Sequence, residues 1–119
     1  TRGTKPCRRV AARMKILFDH GTPAPLRRQL AGHEISTAYE MGWAKLNNGD
    51  LLAAAEKSFD AFITTDQNIR YQQNLTGRRL AILVLPTTSW PEIQKHTGKI
   101  ADAVDALKPG DFVELSFLD

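Results

Sequence analysis

Cysteine is almost absent from this chain: Cys7 is the only one in 119 residues. An intramolecular disulfide is therefore excluded, no cysteine-rich zinc site can be assembled, and the composition fits a reducing, cytoplasmic setting. Histidine is also sparse. His20, His33 and His96 are scattered without zinc-ligand spacing and read as ordinary surface or loop residues. No apolar run approaches the roughly 20 residues of a membrane-spanning helix, so the sequence predicts no membrane insertion. A glycine-rich loop that would cradle phosphate is missing, as are internal repeats and low-complexity stretches. Aromatic residues make up only 8% of the chain, and Trp43 and Trp90 read as packing groups rather than base-stacking platforms. The length suits one hydrophobic core, hence one domain.

Basic charge is scarcer than the net value of +3 suggests. Residues 1–13 hold Arg2, Lys5, Arg8, Arg9 and Arg13 with no acid, which leaves 11 basic against 13 acidic residues, a net −2, in the remainder. That remainder lacks the bulk basicity of a nucleic-acid binder, so any substrate phosphate must be held locally, by a metal or a few arginines. Met14 opens a strand-like apolar run. Residues 1–13 are accordingly expected to be a basic, disordered N-terminal extension, and residues 14–119 a single domain.

What is present is an alternation of strand and helix patterns. Residues 14–19 form an apolar run ending in Asp19; Pro23 and Pro25 open a segment with Leu26 and Leu30 on one helical face, which Gly32 stops. A short strand over 34–38 precedes Asn48-Gly49-Asp50 and a helix carrying Leu51, Leu52, Ala55 and Phe59. A third strand over 61–65 delivers Asp66 and is followed by a helix to about residue 75. Residues 80–85 are apolar on both faces, as expected of a strand covered on both sides. Ser89 and Glu92 form a capping box, and Trp90, Ile93, Thr97, Ile100, Val104 and Leu107 predict one long amphipathic helix. Val113, Leu115 and Phe117 then alternate in a closing strand. The order predicts an α/β fold of three layers, a mainly parallel sheet of about five strands with right-handed crossovers.

In an open α/β sheet, ligands bind beyond the carboxyl ends of the strands. Asp19 and Asp66 fall at two such ends, Glu40 in the loop after the second strand, and Asp50 at the next helix start. Four acids at one edge would require neutralisation, which points to Mg²⁺ or Mn²⁺ with oxygen ligands and to phosphodiester hydrolysis by activated water. Asp19, Glu40, Asp50 and Asp66 are thus the catalytic candidates, and Asp19, Asp50 and Asp66 the metal ligands. Arg70, with Thr65 and Asn68, lies near enough to Asp66 to bind substrate, Arg70 holding phosphate. Structural roles compete: Asp66 as a helix N-cap, Asp50 opposite a helix dipole, Arg70 as a solvated helix-face residue. If the acids converge, their repulsion should raise the pKa of at least one, and Asp19→Asn or Asp66→Asn should stabilise the metal-free protein.

Several segments together resemble a known family. They are Leu17-Phe18-Asp19-His20-Gly21-Thr22-Pro23, Glu40-Met41-Gly42-Trp43, Asn48-Gly49-Asp50-Leu51-Leu52, Ile63-Thr64-Thr65-Asp66-Gln67-Asn68, Arg70-Tyr71-Gln72-Gln73-Asn74-Leu75 and Val84-Leu85-Pro86. Over residues 14–117 the chain is similar to small bacterial PIN-like proteins, a domain family of unknown function assigned to the PIN nuclease superfamily. The resemblance implies a PIN-like fold and an acidic metal site, to which Asp19, Asp50 and Asp66 carry over more directly than Glu40. It also implies RNA cleavage with Mg²⁺ or Mn²⁺, a toxin role restrained by an antitoxin encoded nearby, and a homodimer as a further partner. The chain departs from the commoner pattern at His20, Gly21 and Asn68, the first and last standing where acids are frequent. Those departures motivate an alternative, a non-catalytic PIN-like binding or regulatory protein whose acids are caps and surface charge.

Overall fold

Alternate residues of the central strands are apolar on both sides, so each face of the sheet must be covered, and the chain covers the two faces with different helices. The computed structural model of the protein describes residues 14–30, 32–67 and 79–117. The N-terminal extension, the helix expected between Asp66 and about residue 75, and the candidates Asn68 and Arg70 lie outside the described residues. Strand β1 spans Lys15–Phe18, a 3-10 helix Ala24–Leu30, β2 Glu34–Thr37, helix α1 Asn48–Ser58, β3 Ala61–Thr64, β4 Ala81–Val84, α2 Trp90–Gln94, α3 Thr97–Asp105 and β5 Phe112–Glu114. The five strands form one sheet in the order β2-β1-β3-β4-β5, and every neighbouring pair is parallel.

The strand register aligns Ile16 with Ala61 and Ala81, and Leu17 with Phe62 and Ile82. Ile16, Phe18, Ile63 and Leu83 consequently share one face, where they meet Leu26 and Leu30 of the 3-10 helix and Ile93, Ile100 and Val104 of α2 and α3. Leu17, Phe62, Ile82 and Val84 point the other way, against Leu51, Leu52 and Ala55 of α1. Phe18 and Phe62 have no exposed surface, and each contributes about 1.5–3 kcal/mol through burial. The result is the three-layer α/β arrangement that the alternating pattern predicts. No helix among the described residues is long and apolar enough to cross a membrane.

Connectivity departs from expectation in one respect. From β2 to β3 and from β4 to β5 the chain moves in the same direction across the sheet, yet α1 covers one face and α2–α3 the opposite face. These two crossovers therefore have opposite hand, and a uniformly right-handed set is ruled out despite the strong general preference. The 3-10 helix supplies Leu26 and Leu30 as buried groups, and Ile93, Ile100 and Val104 of the β4–β5 connection complete that face of the core.

Two helices also differ from their predicted form. Leu26 N–H bonds to Pro23 O at 3.1 Å, the i to i+3 pattern of a 3-10 helix rather than the expected α-helix. The single helix expected from Trp90 to Leu107 is split at Lys95–His96. His96 N–H bonds to Ile93 O at 2.9 Å, and its ring stacks on Phe117 with centroids 4.2 Å apart. Thr97 and Gly98, both weak helix formers, follow at once. Half of the expected Ser89–Glu92 capping box forms: Ser89 Oγ accepts from Glu92 N–H at 3.5 Å, but Ser89 N–H donates to Thr87 Oγ1 at 3.0 Å and the Glu92 carboxylate accepts from Lys95.

His33 is buried, not a surface residue. Its Nδ1 accepts from Met14 N–H at 3.1 Å, which fixes the proton on Nε2, and Nε2 donates to Asp105 Oδ1 at 2.9 Å. The ring thereby ties the entry of β1 to the end of α3. His33→Phe keeps an aromatic ring but deletes both bonds, and urea unfolding should show a loss of about 1–3 kcal/mol. A neutral outcome would show that these bonds contribute nothing net.

Candidate functional site

In the observed strand order the chain leaves β1 toward β2 and leaves β3 toward β4, so the connections diverge at the carboxyl ends of β1 and β3. This is the topological switch point at which open α/β sheets bind ligands. Phe18 pairs with Ile63, so Asp19 and Thr64 emerge side by side, with Thr65 and Asp66 following.

Asp19 is 7% exposed, and both of its oxygens are engaged. Oδ1 accepts from Gly21 N–H at 3.1 Å, from Thr22 N–H at 3.0 Å and from the Thr22 hydroxyl at 2.6 Å. Oδ2 accepts from the Thr64 hydroxyl, whose oxygen in turn accepts from Asp66 N–H at 3.0 Å. The Thr22 hydroxyl also lies 3.0 Å from Ile63 O and, having one proton, can serve only one of the two acceptors fully. Asp19 thus closes its own loop and bonds that loop to β3. Thr22 and Thr64, which supply the bonds, were not singled out by the sequence; a threonine beside a strand-end acid is the only local signal.

Gly21 has a steric reason to be glycine. A Cβ there would stand 2.4 Å from Thr65 Oγ1. Thr65, a predicted substrate-binding residue, therefore has its hydroxyl pressed against the β1 loop at the edge of the same crevice.

Glu40 sits on the turn after β2. It accepts from Thr37 N–H at 3.0 Å, its own N–H donates to Thr37 Oγ1 at 3.1 Å, and it forms an ion pair with Arg27 of the 3-10 helix. The Arg27 hydrogen bond, and then that from Thr37 N–H, hold its carboxyl below the usual carboxylate range. This is opposite in direction to the shift expected of crowded acids. Asp50 occupies the first turn of α1, where Asn47 caps the helix by accepting from Asp50 N–H at 2.8 Å. Its charge faces the positive end of the helix dipole, in the structural role read from the sequence.

Asp19 and Glu40 line one cavity of about 1030 Å³, together with His20, Arg27, Arg28, Tyr39 and Trp90. Asp66 lies beyond the neighbouring strand end, and neither it nor Asp50 is among the lining residues. Among the described residues, no three His, Cys, Asp or Glu side chains gather into a group that could hold a metal ion. His20 is anchored by Nε2, which donates to Leu46 O at 3.0 Å since a carbonyl can only accept, and Nδ1 is left as the other ring nitrogen. Trp43 packs edge to face on Phe59, as a packing residue should. No protein-family model, curated protein or solved structure matches the chain.

Four donors to Asp19 reverse the sign expected from charge repulsion. In Asp19→Asn an amide N–H₂ must face at least one of them, so the variant should lose about 1–3 kcal/mol in thermal or urea melts run in EDTA. An equal or higher melting temperature would restore the repulsion argument. Gly21→Ala should cost about 0.5–1.5 kcal/mol by driving Thr65 from its rotamer, and adding Thr65→Ala should recover most of that loss, a coupling read by a double-mutant cycle.

Proposed function

We propose that the protein is a PIN-like, metal-dependent endoribonuclease acting at the carboxyl ends of β1 and β3. The observation that carries this reading is the arrival of Asp19 and Asp66 at adjacent parallel strand ends, at the switch point of the sheet. The motif resemblance adds the expectation of RNA as substrate, an antitoxin as restraining partner and homodimer formation.

The donor set suits a sparsely ligated ion. Mg²⁺ usually keeps several waters and takes one or two carboxylates. Among the described residues Asp19 Oδ1 accepts three hydrogen bonds and Oδ2 one, from Thr64, which leaves Oδ2 able to share a cation with Asp66. Asp19 and Asp66 would hold Mg²⁺ or Mn²⁺, which supplies Lewis-acid polarisation of phosphate and activation of water. Thr64 and the loop amides keep the Asp19 carboxylate in one orientation, and Arg27 and Arg28 set positive charge along the cavity for the phosphate backbone.

Purified protein should cleave single-stranded RNA with Mn²⁺ or Mg²⁺, stop in EDTA, and lose at least about 100-fold of its rate in Asp66→Asn. Cleavage undiminished in Asp66→Asn defeats the reading. It would then yield to the second one, a non-catalytic binding or regulatory protein, which draws support from the local structural partners of Asp19, Glu40 and Asp50.

A further inference from the structure

The two walls of the cavity are the 3-10 helix and the turn after β2, and the Arg27–Glu40 pair spans them. Arg27 is not fully satisfied there. Its Nε–H is buried without a hydrogen-bond partner among the described residues, although its terminal nitrogen reaches Glu40. A buried, unmet guanidinium donor on a cavity wall calls for a further acceptor. Guanidinium groups bind phosphate through two parallel N–H donors, so an oxyanion with several oxygens could take Nε–H and a terminal N–H together, which the Glu40 contact at the terminal nitrogen does not do.

Glu40 is well placed to yield. The pair is exposed, at 40% for Arg27 and 46% for Glu40, and pairs of that kind are weak. When Arg27 leaves, Glu40 still has the Thr37 N–H to bond. The turn keeps its shape by backbone bonds of its own, from Met41 N–H to Thr37 O at 3.1 Å and from Trp43 N–H to Ala38 O at 2.8 Å, with Gly42 at φ +78°. On that turn Tyr39 is 82% exposed at the cavity rim, an aromatic face one residue from Glu40. Phosphate contact beside an exposed aromatic ring is how single-stranded nucleic acid is held without base-edge readout.

We propose that Arg27 is the phosphate receptor of the cavity, that Glu40 occupies it in the resting state as an internal competitor, and that a single-stranded RNA phosphodiester displaces Glu40 while a neighbouring base stacks on Tyr39. This assigns Glu40 the role of guard rather than catalytic acid. It rests on the nucleic-acid reading above but requires no cleavage.

The test measures binding of a short 2′-O-methyl single-stranded oligoribonucleotide, which resists hydrolysis, by fluorescence anisotropy in EDTA. Loss of the nuclease reading would show in the cleavage assay and leave this one untouched. Glu40→Gln should bind about two- to fivefold more tightly, the range that a weak pair can withhold. Arg27→Gln should bind about tenfold less tightly or worse, and Glu40→Gln should bring no gain in the Arg27→Gln background. Tyr39→Ala should weaken binding about fivefold or more. A full gain from Glu40→Gln without Arg27 would reveal a general field effect and overturn the guard. Wild-type affinity in Arg27→Gln overturns the receptor, and wild-type affinity in Tyr39→Ala overturns the stacked base. Should Glu40→Gln fail to fold, the Arg27 Nε–H resonance of the wild-type protein decides: saturable displacement during titration with the oligonucleotide supports the receptor, and a stationary resonance rejects it.

Discussion

The Asp19 carboxylate accepts hydrogen bonds from both the loop that leaves β1 and the last residue of β3, and the geometry of the whole carboxyl edge depends on it. Backbone pairing alone holds the strands in register, but it ends at Asp19 N–H, which bonds to Ile63 O at 3.1 Å. Beyond that point no backbone bond joins β1 to β3 among the described residues, although Thr64 O still accepts from Leu85 N–H on the β4 side at 2.8 Å. One oxygen of Asp19 closes the turn at Gly21 and Thr22, and the other ties that turn to Thr64. Thr64 passes the order on through its oxygen to the amide of Asp66. Four donors around one carboxylate also resolve the desolvation of a side chain that is almost fully buried, since each replaces a water that burial removes.

Amphipathic periodicity is local in sequence, and it disclosed the features that depend on local sequence: five strands, the helix from Asn48, the Ser89 cap and the apolar faces they present. The misreadings share one cause, dependence on a partner distant in the chain. His33 meets Met14 and Asp105, which are 19 and 72 residues away. Glu40 meets Arg27 across 13 residues. The split between α2 and α3 is secured by Phe117, beyond the next strand. The opposite hand of two crossovers is a property of the assembled sheet rather than of any one segment.

The charge argument fell short for a related reason. Reading four carboxylates as a like-charge cluster assumes that nothing nearer than a cation neutralises them. Here Asp19 is compensated by amides and hydroxyls, Glu40 by a guanidinium and an amide, and Asp50 by a helix end. The placement of Asp19 and Asp66 at strand ends was legible because it follows from strand boundaries; which donors reach each oxygen was not, because hydroxyls of Thr22 and Thr64 look like ordinary β-formers in the sequence. Asp66 follows the end of β3, where its N–H donates to the Thr64 hydroxyl oxygen at 3.0 Å.

Strength decides what the Arg27–Glu40 pair can do. A buried ion pair loses several kcal/mol or more when one partner is withdrawn, so it can lock two elements but cannot exchange. Half-exposed partners lose little, because solvent already screens them. The walls of the cavity are separately anchored, the 3-10 helix by Leu26 and Leu30 in the core and the turn by its own backbone bonds. Opening the pair therefore does not require the fold to move, and the free energy gained by a phosphate on Arg27 is opposed only by the modest attraction of Glu40. A contact that is poor at stabilising the protein is, for that reason, suited to being replaced by a ligand.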